Sequence, residues 1–310
     1  MNNVKASRFA SPAMYVSAAL LVFSGLMSAQ TAPPTQPKVV ETSVSTKGAR
    51  PAEFRDITYL TVGENKSTLD VYQSPNPGPS PVLVYYHGGG WWKGERPHSW
   101  TSFRSFLAMG FSVLSVDYRL TPVAPAPAAV QDARCALSWL KQNAAKYNFD
   151  TNRVVVYGTS AGGQLALMSG MMPTSEKVDL PQCSDLPKVA AVLDFYGPAD
   201  LVDITSGGNH RGWAARWITD TPDPAAMAKQ MSPMRYVRSG LPPIFIAHGD
   251  ADPTVPYTQS VQLQKALDTA GVPNKLFTVS GGLHGKFNED QKKEIQSAIH
   301  DFLKQQKVLN

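Results

Sequence analysis

The chain has 310 residues, 43% of them hydrophobic and 17% charged, which is room for one large domain or two small ones. Composition does not divide it, and it holds no internal repeat and no long charge run. Its 29 Lys and Arg against 24 Asp and Glu leave a net charge of +5 without a basic cluster, which excludes a nucleic-acid partner.

In chain order, Lys5 and Arg8 come first, then the apolar run 13–27, Ser28, Ala29 and "QTAPPTQP". Residues 1–29 therefore read as a secretory signal cut near Ala29, because the run falls short of the roughly 20 apolar residues of a membrane span. The expectation is a secreted or periplasmic protein with no stable membrane insertion after cleavage. Loss of Lys5 and Arg8 lowers the net charge from +5 to +3. Residues 30–52, rich in Pro, Thr and Ser, read as a flexible lead-in, and the folded domain is expected over 53–310.

"DITYLTV" and "STLDVYQ" alternate around the polar turn "GENK", which predicts an antiparallel hairpin. Six short apolar runs follow: "PVLVYYHG", "FSVLSVDY", "RVVVYG", "VAAVLDFYG", "PPIFIAHG" and "NKLFTVSG". Most are separated by helical segments, so the fold class is α/β, with a mostly parallel central sheet flanked by helices on both faces. In such a sheet the functional loops gather at the carboxyl ends of the strands. Residues 201–234 interrupt this rhythm as a small insertion, where Trp213 and Trp217 share one helical face and either pack down on the sheet or line a pocket. Cys135 lies in a helical run and Cys183 in a loop. Exported, the pair could be joined or could stay as two buried thiols, and neither has the surroundings of a catalytic thiol.

In "VVVYGTSAGGQLAL" a buried strand pattern turns through Gly158, Ser160 and Gly162 into a helical stripe of Ala161, Leu165 and Met168. Strand, sharp turn and helix are the context of a nucleophile elbow, which makes Ser160 the candidate nucleophile. Such a serine needs a base, an acid that orients the base, and donors for the oxyanion. Of the six histidines only His284, in "TVSGGLHGKF", follows the last strand in a glycine-rich loop; His300 lies in the final amphipathic helix and His87 reads as structural. Asp252 and Asp250 both follow the penultimate strand. Asp252 is preferred because it stands further into the loop and precedes Pro253, whereas Asp250 suits a turn that bonds its own backbone. "YYHGGGWWKG" supplies Gly89 and Gly90, which with Ala161 would point three N–H groups at an oxyanion. Trp91 and Trp92 next to them are candidate substrate-binding residues.

Taken together, "HGGGWWKGE", "DYRL", "DARCALSWL", "GTSAGGQLA", "DFYGPADL", "SPMRYV" and "HGDADPTVP" resemble the α/β-hydrolase superfamily, specifically hormone-sensitive-lipase-like esterases. Within that group they look like the bacterial acetyl-xylan or feruloyl esterase branch, over about residues 55–305. One departure is Lys286 after "HG", where relatives often carry an aromatic residue. The resemblance implies an α/β-hydrolase fold and a serine carboxylic-ester hydrolase with Ser160, Asp252 and His284 as the catalytic residues, and Gly89, Gly90 and Ala161 as the oxyanion hole. Trp91 and Trp92 beside the hole, an insertion over 201–234 too short for a large apolar lid, and export add the expectation of short acyl or hydroxycinnamoyl esters, of plant cell-wall carbohydrates or of small molecules, as substrates, and the acyl-enzyme mechanism calls for no metal or cofactor. An arylformamidase-like amide hydrolase shares the HGG-x-W loop, and a catalytically silent binding protein could use the same fold.

Overall fold

Eight runs of β-branched and aromatic residues become eight strands of one sheet in a computed structural model that describes residues 50–309. They are β1 (Ala52–Val62), β2 (Asn65–Gln73), β3 (Ser80–Tyr86), β4 (Ser112–Val116), β5 (Phe149–Thr159), β6 (Val189–Phe195), β7 (Ile244–Gly249) and β8 (Asn274–Val279). The expected signal over 1–29 and nearly all of the expected lead-in lie outside the described residues.

The sheet order is β1-β2-β4-β3-β5-β6-β7-β8. β1 and β2 form the predicted antiparallel hairpin and β2 runs antiparallel to β4, while every pair from β4/β3 to β7/β8 is parallel. Parallel neighbours need crossovers, and helices supply them: α1 (Arg104–Ala108), α2 (Ala128–Gln142), α3 (Ala144–Tyr147), α4 (Ala161–Met171), α5 (Leu201–Ser206), α6 (Gly212–Thr219), α7 (Pro224–Gln230) and α8 (Thr258–Thr269), while α9 (Glu289–Gln305) follows the last strand.

Successive strand residues point to opposite faces, and here both faces are covered. Val82, Val84, Val154, Val156, Val192, Ile244 and Ile246 belong to a core shared with α2, α4 and α8. Their neighbours Leu83, Val155, Leu193 and Phe245 join a second core with Phe106 of α1 and Ile295, Ile299 and Phe302 of α9. A run such as Val154-Val155-Val156 is apolar throughout because each of its residues is buried on one face or the other.

Two buried ion pairs fix α2. Asp132 accepts from the Arg119 guanidinium (2.6 and 2.9 Å), and Arg134 pairs with Asp179 (Nη2 to Oδ2, 2.7 Å). Of the two readings left open for the cysteines, the structure has the bond: Cys135 on α2 is joined to Cys183 in a 3₁₀ turn 48 residues on. The expected insertion over 201–234 contains α5, α6 and α7, whose Leu201, Ile204, Ala214, Trp217, Ile218 and Ala228 pack into the first core.

Candidate active site

β5 ends at Thr159 and α4 starts at Ala161, so a single residue makes the turn between them. That residue, Ser160, sits at φ 57° and ψ −122°, a backbone conformation that costs about 1–3 kcal/mol for a non-glycine residue. Its N–H donates to the Phe195 carbonyl at 2.8 Å, which holds the turn in place. The small neighbours are a steric requirement: a Cβ on Gly158 would strike the carbonyl of Gly162, and one on Gly162 would strike that of Tyr86.

From this turn a hydrogen-bonded chain crosses the carboxyl end of the sheet. Ser160 Oγ lies 2.9 Å from His284 Nε2, and His284 Nδ1 lies 2.6 Å from Asp252 Oδ2. An ionised carboxylate only accepts, so Nδ1 carries the proton and Nε2 presents its lone pair to the serine hydroxyl. That is the arrangement for removing a proton from Ser160 as it attacks. Burial would push the Asp252 carboxyl up, but hydrogen bonds from His248, His284 and the Thr254 N–H outweigh it and hold the group well below the usual carboxylate range. Asp250 is spent elsewhere. It accepts from the Gly281 N–H at 2.7 Å and ties the two loops together.

Gly89 (φ 121°) and Gly90 (φ 62°) curl beside the serine in conformations that suit glycine. Trp92 and Lys93 turn their N–H groups back onto the Gly89 carbonyl, both at 3.1 Å, and among the described residues no acceptor takes the Gly89 or Gly90 N–H. Ala161, as the first residue of α4, has an N–H with no intrahelical acceptor. His87 holds the loop: Nδ1 donates to the Gly88 carbonyl at 2.7 Å, the ring stacks on Tyr118 at 4.3 Å, and burial pushes its pKa down. Buried Arg96 pins the loop's far end to Asp70, Asp56 and Asp117.

The tryptophan expectations need correcting. Trp91, expected to bind substrate, is fully buried. It stacks on Trp217 at a ring-centroid distance of 4.1 Å and 12°, and donates from Nε1 to Gln164 Oε1 at 3.2 Å. Its positive φ of 55° turns the side chain under the loop. Trp92 is 42% exposed beneath the Arg216 guanidinium and does not line the cleft. Trp213 lines it instead. The cleft above Ser160 has a volume of about 400 Å³, and Gly88, Gly89, Gly90, Lys93, Thr159, Tyr196, Thr254 and His284 complete its wall. Sequence reasoning missed Tyr196, Thr254, Gln164 and His248. Gln164, which also donates to the Met231 carbonyl at 2.8 Å, joins α4 to both the oxyanion loop and the insertion. Tyr196, whose ring packs edge-on against His284 at 4.7 Å, follows a strand in "DFYG" and was legible at most as a strand-end aromatic.

The BD-FAE family model matches residues 69–267, more than half of the chain. The chain belongs to the BD-FAE family. Esterase LipQ of Mycobacterium tuberculosis is 28% identical over 266 residues, which are 81% of this chain and 62% of LipQ. The chain thus spans about three-fifths of LipQ, and about half of the next curated esterases. Among solved structures, Thermogutta terrifontis esterase 2 with bound propionate superposes with a TM-score of 0.71 at 26% identity over 82% of this chain and 94% of that one. A truncated carbohydrate esterase from gut microbiota gives a TM-score of 0.69 at 25% identity over 83% of this chain and 98% of that one.

Proposed function

We propose that the protein is an exported serine carboxylic-ester hydrolase that works through an acyl-enzyme and prefers short acyl or hydroxycinnamoyl esters of carbohydrates. The observation that carries this reading is the unbroken chain from Ser160 through His284 to Asp252, beside a glycine loop with unused N–H groups. In the proposed cycle Ser160 Oγ attacks the ester carbonyl as His284 Nε2 takes its proton, and the Gly89, Gly90 and Ala161 N–H groups hold the oxyanion. The imidazolium then protonates the leaving alcohol. Water, activated by the same imidazole, releases the acid.

The substrate reading is supported by the cleft. A volume of about 400 Å³ suits a small acyl group, and Trp213 and Tyr196 offer flat faces to a sugar or phenolic ring. Solved relatives point the same way: the Thermogutta esterase was captured with propionate and with butyrate, and the gut enzyme bears the name carbohydrate esterase. Export rests on the sequence of residues 1–29 and on the Cys135–Cys183 bond, which an oxidising compartment would preserve.

A fluorophosphonate is expected to add to Ser160, and Ser160→Ala to lose both adduct and turnover with its fold intact. On a panel of acyl esters, methyl ferulate, acetylated xylan and N-formylkynurenine, kcat/KM should fall steeply beyond about four acyl carbons, each misfitted methylene being worth about 1–3 kcal/mol. Trp213→Ala should harm feruloyl and sugar esters more than p-nitrophenyl acetate. Preference for decanoate would end the short-acyl reading, and faster hydrolysis of N-formylkynurenine than of any ester would replace the esterase with an amide hydrolase.

A further inference from the structure

His248 stands near the carboxyl end of β7, fully buried, and both of its ring nitrogens are engaged. Nε2 lies 3.2 Å from Asp252 Oδ2 and 3.1 Å from the Val255 carbonyl. Both partners are acceptors, so Nε2 carries the proton. Nδ1 lies 2.7 Å from Ser260 Oγ in the first turn of α8, and in the tautomer that carries its proton on Nε2 it accepts a hydrogen bond from the serine hydroxyl.

The carboxylate of Asp252 is thereby saturated. Oδ1 accepts from the N–H groups of Thr254 (2.7 Å) and Val255 (3.1 Å), and Oδ2 from His284 (2.6 Å) and His248 (3.2 Å). A carboxylate has about four lone-pair sites, and here four donors meet them, the His248 N–H being shared with the Val255 carbonyl. It can neither rotate nor shift without giving up a charge-assisted bond. Two of the donors are imidazoles on one oxygen, so the negative charge that His284 meets is shared with His248.

We propose that His248 is a positioning residue that acts on His284 through Asp252, with Ser260 fixing its tautomer, so that the working chain runs Ser160–His284–Asp252–His248–Ser260. The proposal rests on the reading of Ser160 as nucleophile. A merely structural role would be to tie β7 to α8, and the two roles make different demands. His248 also faces the rings of Tyr196 and Tyr257, and His284 faces Tyr196 and, across the cleft, Lys93.

The test compares the unsubstituted protein, His248→Gln and His248→Asn on p-nitrophenyl acetate across pH, with Tm recorded for each. A glutamine amide nitrogen reaches about as far as Nε2 and can still donate to Asp252; asparagine reaches only as far as Nδ1, towards Ser260. His248→Asn is expected to lower kcat roughly ten- to a hundredfold, the worth of a hydrogen bond to a charged group, with KM within about threefold. Its acidic limb should move up by about half a pH unit, because the Asp252 charge, no longer shared, favours the His284 imidazolium more. His248→Gln should recover most of both effects. A kcat for His248→Asn within about twofold of the unsubstituted value, or an equal loss in both variants with the limb unmoved, overturns the proposal. Should His248→Asn fail to fold, His248→Leu fills the buried site with a side chain that has no nitrogens and is judged by the same criteria. Turnover that is lost in Ser160→Ala keeps the nucleophile reading whatever His248 does. If the unsubstituted protein shows no turnover, the nucleophile reading fails, and the coupling is decided by the low-field proton resonance of His284 Nδ1–H, expected to move in His248→Asn and return in His248→Gln.

Discussion

Ser160, Asp252 and His284 occupy three separate loops, and each is held by bonds that its neighbours alone could not supply. The choice between the two aspartates shows this best. Asp252 meets two imidazoles and two backbone N–H groups, whereas Asp250 accepts from Gly281 in the adjacent loop. Asp252→Asn is therefore expected to lower kcat by about 10⁴, as when a triad aspartate loses its charge, and Asp250→Asn to act weakly. Steady-state kinetics on one short ester ranks the pair, and the reverse order would move the acid role to Asp250. The preference for Asp252 was legible because Pro253 disfavours a helical backbone before it. The sharing of its carboxylate with His248 was not, since that contact depends on where the loop folds back over β7.

At the scale of elements, the junction of β6 with α4 hides a charge problem. Asp194 on β6 is fully buried beside Gly163 and Gly197; Oδ1 accepts from the Gly197 N–H at 3.0 Å, while Oδ2 has no protein partner. Burial pushes its carboxyl up to about 7, against the single hydrogen bond that lowers it. The folded protein thus keeps a proton that the unfolded chain releases near pH 4, so this group makes stability fall as pH rises from about 4 to about 7 and adds no further slope above that. Asp194→Asn removes the titration. Its Tm relative to the unsubstituted protein is expected to be higher at pH 8 than at pH 5, by an amount reflecting a few kcal/mol at most. An identical Tm difference at both pH values would show that Asp194 stays ionised in the fold.

For the molecule as a whole, one covalent link adds to the packing of two cores on one sheet. The Cys135–Cys183 bond closes a loop of 48 residues that contains β5 and α4, the strand and helix on either side of Ser160. Closing a loop of that size in the unfolded chain contributes about 2–4 kcal/mol. Denatured without reductant, the protein should show no titratable thiol, and Cys183→Ser should lower Tm while leaving kcat within about twofold, because neither sulfur touches the cleft. Two thiols per chain would dissolve the link, and a large loss of kcat at unchanged Tm would mean that the bond acts on the site.

The sequence by itself determined the elements and the order of the chemistry. All eight strands stand where alternating or continuous apolar runs placed them, and Ser160, Asp252, His284, Gly89 and Gly90 come together at the carboxyl edge of the sheet. These features are local: a strand's period, a turn's demand for glycine and a loop's place after its strand are carried by neighbouring residues. Only the tertiary structure decided which tryptophan meets the cleft, because Trp91 and Trp213 differ in the direction of a side chain, which a positive φ at Trp91 and the stack on Trp217 determine. It likewise joined Cys135 to Cys183, since a contact between elements 48 residues apart depends on how whole elements pack, and it brought Asp252 back onto His248, four residues earlier, through the fold of the loop after β7.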